Sequence, residues 1–133
     1  MSNNQEIIQP PIVTTGTTGR SVTIPFNNPV WAQLISAFFH LSTDATAGAR
    51  SFNIDLIDSA GNILSRLMNM PMNPSQSFDV EMANSPNPGS NTSTGQVIPE
   101  SIPLPPNSSI KITDINNHLS TSDSISMNAV ISY

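Results

Sequence analysis

Side chains that could carry out chemistry are few in this chain and stand far apart. The only histidines are His40 and His118, and neither has a carboxylate beside it at the spacing of a metal-binding motif. A nucleophilic serine needs an oriented base, and these histidines are its only usual candidates. The sequence therefore predicts no metal site and no catalytic serine. His40 is expected to be a partly buried strand residue and His118 a loop residue.

Carboxylates offer a second chemistry, because a pair of them can hydrolyse a glycosidic bond. The candidates are Asp55, Asp58, Asp79 and Glu81. Alternation of polar and apolar residues predicts that all of them except Asp58 face outward from strands. Asp58 begins Asp58-Ser-Ala-Gly-Asn62, a turn sequence too poor in acids for a calcium loop. With no phosphate loop and no Gly-x-Ser-x-Gly either, we expect a protein that is not an enzyme and has no cofactor.

Composition excludes further classes of function. Only 10% of the 133 residues are charged, against roughly 25% in ordinary domains, which suggests that a partner covers part of the surface. The net charge of -5 and the dispersed cations argue against nucleic acid. No apolar run approaches the ~20 residues of a membrane span, and we expect no secretory signal. The absence of cysteine excludes disulfides and fits a reducing compartment.

The elements that would position these side chains are strands. Residues 51–57 alternate, with Phe52, Ile54 and Leu56 inward, and Asp58-Ser-Ala-Gly-Asn62 follows as a hairpin turn. Residues 76–82 and 123–133 alternate in the same way, while Pro25 places the strand at 20–26 on a sheet edge. About eight short strands predict an all-β, antiparallel two-sheet sandwich of jelly-roll type. The predicted core is Trp31, Phe52, Ile54, Leu56, Phe78, Val80, Ile112, Ile125 and Met127.

Residues 30–43 are the hardest segment to interpret, because both of their faces are partly apolar. A strand there is either central and covered on both sides, or contains a bulge that exchanges its faces midway. A helix is the competing interpretation, since the apolar residues also fit a period of 3.6. As a strand, one face carries Trp31, Ile35, Ala37, Phe39 and Leu41, and the other carries Leu34, Phe38 and His40.

Two segments lack a regular pattern. Residues 1–19 are polar and contain Pro10-Pro11, so they are either a disordered tail or an extended arm, followed by the sandwich domain at 20–133. The arm is the preferred interpretation, with partner-contacting anchors at Ile7, Ile8, Ile12 and Val13. The second segment, residues 84–95, is a polar loop that is either functional or mobile, and a weak strand interrupted by Pro99 is predicted at 96–102.

Two stretches of the chain carry a resemblance to known proteins. Residues 31–64 contain Thr43-Asp-Ala-Thr-Ala-Gly-Ala-Arg50, an alternating strand and Asp58-Ser-Ala-Gly-Asn62. The second stretch is Ile102-Pro-Leu-Pro-Pro-Asn-Ser-Ser-Ile-Lys-Ile112, followed by Asp123-Ser-Ile-Ser. Together they resemble small jelly-roll proteins encoded among the head genes of tailed bacteriophages, which are similar to capsid decoration, or cement, proteins.

This resemblance implies a virion structural protein, assembled in the host cytoplasm. Such proteins bind the exterior of the capsid as trimers and clamp neighbouring subunits of the major capsid protein, with neither nucleic acid nor membrane as partner. Two alternatives stay open: a component of the tail or of the head-to-tail connection, and a carbohydrate-binding module. The last needs exposed aromatic side chains, and the single Trp lies in an apolar run, which argues against it.

Overall fold

The computed structural model describes residues 6–15, 21–83, 94–97 and 101–132, with 6–15 and 94–97 described as backbone. Within these residues all regular structure is β, so the all-β prediction is confirmed and the helical interpretation of residues 30–43 is wrong. The strands are β1 (Glu6–Thr15), β2 (Ser21–Pro25), β3 (Ala32–Ser42), β4 (Arg50–Ile57), β5 (Ile63–Met72), β6 (Ser77–Ala83), β7 (Thr94–Val97), β8 (Ile102–Leu104), β9 (Ser109–Asp114) and β10 (Ser124–Ser132).

The strands form two sheets. The larger sheet has the order β1-β10-β3-β6-β7, with β8 pairing to the beginning of β3, and the smaller has the order β2-β9-β4-β5. Every described pair is antiparallel except β6–β7. The predicted antiparallel two-sheet sandwich is confirmed, and β2 lies at a sheet edge as Pro25 predicts.

The core lies between the sheets and contains most of the predicted side chains. Alternation places every second residue of a strand on the inner face, and seven of the predicted residues are buried there: Phe52, Ile54, Leu56, Val80, Ile112, Ile125 and Met127. Phe78 is only half-buried and packs against the edge of the core. Trp31 was placed wrongly, because it precedes β3 and is exposed.

A bulge in β3 explains the two partly apolar faces of residues 30–43. Val130 of β10 pairs with Ser36 and Ile131 pairs with Leu34, so Ile35 is the extra residue. Inward-facing residues change there from even to odd numbers, with Leu34 buried before the bulge and Ala37 after it. The bulge alternative is therefore confirmed.

The described part of residues 1–19 belongs to the sandwich. Residues 6–15 form β1, which pairs antiparallel with β10, and the register shifts between Gln9 and Ile12, where the two prolines stand. This part of the predicted arm is thus the outer strand of the larger sheet instead of a separate extension. Partner contact by Ile7, Ile8, Ile12 and Val13 stays a prediction.

Two further predictions concern loops. The turn at Asp58 closes the β4–β5 hairpin, where the Gly61 amide donates to the Asp58 carbonyl at 3.0 Å and Gly61 has a φ of 87°. The weak strand predicted at 96–102 is replaced by β7 and β8, and Pro99 lies outside the described residues. Of the predicted loop at 84–95, only 94 and 95 are described, as part of β7.

Strand directions separate the sandwich into two ends. β3 begins beside the end of β8 and finishes beside the starts of β6 and β10. β4 runs the opposite way. It begins at Arg50, which bonds to Asp44 just after β3, and it finishes at Ile57, which pairs with Ser109, the residue after the Ser108 that bonds to Asn28 just before β3. The loops 26–31, 58–62 and 105–108 meet at what we name the apolar end. The loops 43–49, 73–76 and 115–123 meet at the clamp end.

Candidate functional site

The clamp end is closed by a buried guanidinium. Arg50, the first residue of β4, has no exposed side-chain surface, and neither has Asp123 just before β10. The Arg50 Nε donates to Asp123 Oδ2 at 3.1 Å, and Nη2 donates to Asp123 Oδ1 at 3.0 Å and to Asp44 Oδ1 at 2.7 Å. Two paired carboxylates therefore compensate the burial of this charge.

Backbone groups satisfy the rest of the clamp. Arg50 Nη1 donates to the carbonyl oxygens of Thr46 and Gly48, both at 2.8 Å, so all five guanidinium N–H groups have acceptors. Asp123 also accepts the amides of Asp44 at 2.8 Å and Ser120 at 3.0 Å. Because its donors and acceptors are used internally, this cluster binds the loops of the clamp end together.

Asp44 is the outer member of the clamp. The Ser120 hydroxyl donates to Asp44 Oδ2, while the Thr46 amide and Arg50 donate to Oδ1. The hydrogen bond from Ser120 is the largest of the effects that lower the pKa of Asp44 to about 2, against an ordinary value of 3.8. Asp44 is therefore ionised at neutral pH.

His118 lies in the same end and is a loop residue, as predicted. Asp114 fixes its loop, because one carboxylate accepts the amides of Ser51 at 2.8 Å and His118 at 2.6 Å. The His118 ring lies against Gly48, which has a φ of 115°, and a β-carbon added there would stand 2.5 Å from the ring. Its Nδ1 lies 3.0 Å from the Ala49 carbonyl oxygen. These contacts make His118 a packing residue of the clamp end.

His40 lies on the outer face of the larger sheet and is more exposed than the sequence predicts. Its Nδ1 hydrogen-bonds to Asp79 Oδ1, which is its register partner on β6, and Ser126 stands opposite it on β10. Serine, histidine and aspartate thus follow one another across three strands. The row lies on a sheet face, where strand N–H groups point along the sheet to neighbouring strands and do not converge on an oxyanion. We therefore assign it no hydrolytic chemistry.

Candidate metal ligands are dispersed in the part of the chain that the structure describes. There, no three His, Asp or Glu side chains come close enough to hold a metal ion. Beside the His40 row, Ser36, Phe38, Glu81 and Asn128 line a groove of about 280 Å³ on the outer face. Asp55, expected to face outward, is buried, because Arg66 pairs with it at 2.8 Å.

Large hydrophobic side chains are exposed at the apolar end. Among the described residues five such side chains are exposed, and only Ile115, 58% exposed, belongs to the clamp end. The others are Val30 (53%), Trp31 (63%), Ile63 (55%) and Leu64 (45%). Large apolar side chains that remain in water at one end of a domain indicate a surface that another molecule covers.

A buried amide holds the backbone beneath this surface. Asn28 is fully buried, and its Nδ2 donates to the carbonyl oxygens of Val30 at 3.1 Å and Pro105 at 2.8 Å. Its Oδ1 accepts the Ser108 amide at 3.2 Å. Loops 26–31 and 105–108 are thereby tied together, and Trp31 is presented from a fixed turn.

One ionised carboxylate borders the apolar end. Asp58 Oδ1 accepts the amides of Ala60 at 3.0 Å and Asn62 at 2.8 Å, and the bonds from Asn62 are the main cause that lowers the pKa of Asp58. Asp58 forms no ion pair with any described residue. The end therefore combines apolar side chains with a fixed negative charge.

The sequence contained part of the signal for this surface. The turn Asn27-Asn28-Pro29 precedes Trp31, and a side chain beside a turn is a weaker candidate for the core than one inside a strand. β1 lies at the edge of the larger sheet and contains the predicted anchors Ile7, Ile8, Ile12 and Val13.

Comparison of this chain with protein-family models, curated proteins and solved structures finds no significant match. A search of the described residues also finds no helix long and apolar enough to cross a membrane.

Proposed function

We propose that this protein is a non-enzymatic structural component of a virion: a decoration, or cement, protein on the exterior of a tailed-phage head. It bridges subunits of the major capsid protein after synthesis in the host cytoplasm. The observation that carries the proposal is the apolar end, whose exposed hydrophobic side chains offer a binding surface. The resemblance of residues 31–64, 102–112 and 123–126 to head proteins supplies the partner.

The strand order supports a jelly-roll fold for this component. A jelly roll consists of two interleaved Greek keys. The neighbours β1-β10-β3-β6 in one sheet and β2-β9-β4-β5 in the other are the order that such winding gives, with β7 and β8 added between β6 and β9. Viral capsid proteins and lectins both use this fold, so it is compatible with the proposal but does not select the function.

The mechanism is mass action. Each bound copy stabilises the assembled shell over the dissociated one by its binding free energy, and many modest contacts resist internal pressure. We propose that the protein acts as a trimer, as the resemblance implies. The low content of charged residues supports an oligomer of some kind.

Particles lacking the protein test this function. We expect them to release DNA at a lower temperature than complete particles, and re-addition of the protein should restore the difference. Unchanged heat resistance would remove the stabilising role. Cryo-electron microscopy of complete virions distinguishes a position on the shell from one in the tail. Sedimentation of the free protein at micromolar concentration should show a species larger than 14.2 kDa.

A carbohydrate-binding module is the second candidate, and one observation favours it. Trp31 is exposed and could therefore stack on a sugar ring. Its apolar neighbours in the sequence, which argued against a carbohydrate-binding module, no longer count against this function. A glycan array with the wild type and Trp31→Ala tests this function. Binding that disappears in the variant would establish it, whereas an array without signal would exclude it for the glycans presented.

A further inference from the structure

We propose that the apolar end is a docking surface for a protein whose contact region is an apolar pocket bordered by lysine or arginine. Trp31 is the anchor, and Val30, Ile63 and Leu64 are the other exposed large hydrophobic side chains of this end. This inference rests on the proposed function, because it names the surface by which a decoration protein would attach. It also specifies the chemistry of the attachment site on the partner.

The apolar part of the argument comes from exposure and position. Trp31 is the most exposed large hydrophobic side chain among the described residues, and tryptophan is enriched among residues that dominate binding energy. Ile63 and Leu64 stand next to each other at the start of β5, so alternation turns them to opposite faces of an edge strand. Both are exposed, so the tip of the β4–β5 hairpin is covered on neither side.

The charge of the partner follows from the use of cations within this chain. Of its four Lys and Arg residues, Arg50 is sealed in the clamp and Arg66 is paired with Asp55. Asp58 borders the apolar end as an ionised carboxylate without a cationic partner among the described residues. With a net charge of -5, the protein complements a basic rim better than an acidic one.

The surface is preorganised, so little ordering opposes binding. Asn28 fixes the turn that carries Val30 and Trp31, through three carbonyl acceptors and the Ser108 amide. Asp58 fixes the hairpin turn before Ile63 in a similar way, through the amides of Ala60 and Asn62. Rigid presentation of an anchor raises affinity, because less conformational freedom is lost on binding.

Other occupants fit less well. A second copy of the chain would bring the same net charge of -5 to the contact. A sugar needs polar groups that converge beside the aromatic ring, whereas the other exposed large side chains at this end are aliphatic. The Asn28 amide cannot serve a sugar, because both of its ends are already hydrogen-bonded within the protein.

Trp31 provides the measurement, because it is the only tryptophan in the chain. We would titrate the full-length protein with two synthetic amphipathic peptides of equal leucine content, one carrying lysine and the other glutamate. The lysine peptide is expected to bind more tightly and to shift Trp31 emission to the blue. The double variant Ile63→Ser/Leu64→Ser should weaken this binding by about tenfold or more. Asp58→Asn should reduce the preference for lysine.

Ile115→Ser is the matched control, since it removes an equally exposed side chain from the clamp end. It should bind the lysine peptide like the wild type. Equal binding of the two peptides, no emission shift, or an equal loss in Ile115→Ser would overturn the inference. An emission shift that is caused by glycans or by self-association, and not by the peptide, would also overturn the inference. Circular dichroism checks that each variant is folded, and Val30→Ser replaces the double variant if that one is not.

Particles that lack the protein separate this inference from the proposed function. If such particles bind the wild type and the Ile63→Ser/Leu64→Ser variant equally, the docking surface is wrong while the decoration function stands. If they bind neither protein although the lysine peptide binds as expected, the surface stands and the decoration function fails. If they bind the wild type and Ile115→Ser but not the double variant, both are supported.

Discussion

The two ends of this sandwich are closed by opposite kinds of chemistry. At the clamp end, Arg50 and Asp123 are fully buried, and every N–H group of the guanidinium has an acceptor. At the apolar end, Trp31 and Ile63 remain more than half exposed. The buried group is polar and the exposed groups are apolar, which reverses the usual distribution in a soluble domain.

The difference shows which end carries stability and which end is available for binding. A buried charge is tolerated only when its hydrogen bonds are complete, so the clamp has no capacity left for a ligand. Exposed apolar side chains contribute little to folding, yet their burial is favourable when a partner covers them. Variants can test this division directly, because stability and binding should respond at different ends.

The largest effect is expected at the clamp. Arg50→Met keeps an apolar stem but leaves Asp123 buried without a cation, so it should lower the free energy of unfolding by about 3–5 kcal/mol. Urea denaturation followed by circular dichroism measures this change. Ile115→Ser at the same end is the control and should stay within about 0.5 kcal/mol of the wild type. A loss below about 1 kcal/mol in Arg50→Met would mean that water reaches Asp123.

A smaller loss of stability is expected beneath the apolar surface. Asn28→Ala removes the acceptor of the buried Ser108 amide and the donor to three carbonyl groups, and should cost about 1–3 kcal/mol. The same change should weaken binding of the lysine peptide, since the turn before Trp31 loses its support. Loss of stability with unaltered peptide binding would separate Asn28 from the docking surface.

Acid should weaken the clamp in a defined pH range. The pKa of Asp44 is about 2 in the folded protein and 3.8 ordinarily, so its stabilising contribution is complete above about pH 4 and disappears as pH falls towards 2. The stability difference between wild type and Asp44→Asn should therefore shrink over this range. Ser120→Ala removes the main cause of the low pKa and should move the range upward. A difference that is constant from pH 5 to pH 2 would contradict this assignment.

The smallest effect on stability is expected from the residues that are proposed to matter most for binding. Trp31→Ala should change the free energy of unfolding by no more than about 0.5 kcal/mol, because its side chain is mostly in water. Phe52→Ala is the contrasting core variant and should cost about 3–5 kcal/mol. Equal losses in the two variants would show that Trp31 is packed against the domain after all.

Much of the fold was predictable because it depends on local patterns. The alternation in β4, the turn at Asp58 and Pro25 at a sheet edge are each determined by a few neighbouring residues. Trp31 was misplaced because the bulge at Ile35 reverses the phase of β3. When the alternation of inward and outward residues is extended from the later part of a strand back through a bulge, every residue before the bulge is assigned to the wrong face.

The two ends were less predictable, because they depend on residues distant in sequence. Arg50 and Asp123 are separated by 73 residues, and no local pattern indicates that they pair. Asp55 has the spacing of an outward strand residue, but Arg66 on the next strand covers it. To predict the apolar end, one must know which loops meet there. That information comes from the strand order and not from the local sequence.

The long sequence separation within the clamp also has a consequence for the lifetime of the folded state. Arg50 and Asp123 are 73 residues apart, so their hydrogen bonds can form only after the loops that carry them have been brought together. We therefore expect these hydrogen bonds to form after the rate-limiting step of folding. Arg50→Met should then accelerate unfolding while leaving the folding rate nearly unchanged, as the two arms of a chevron plot would show. In a long-lived assembly, persistence depends on the unfolding rate more than on the equilibrium. The clamp would thus act as a kinetic lock.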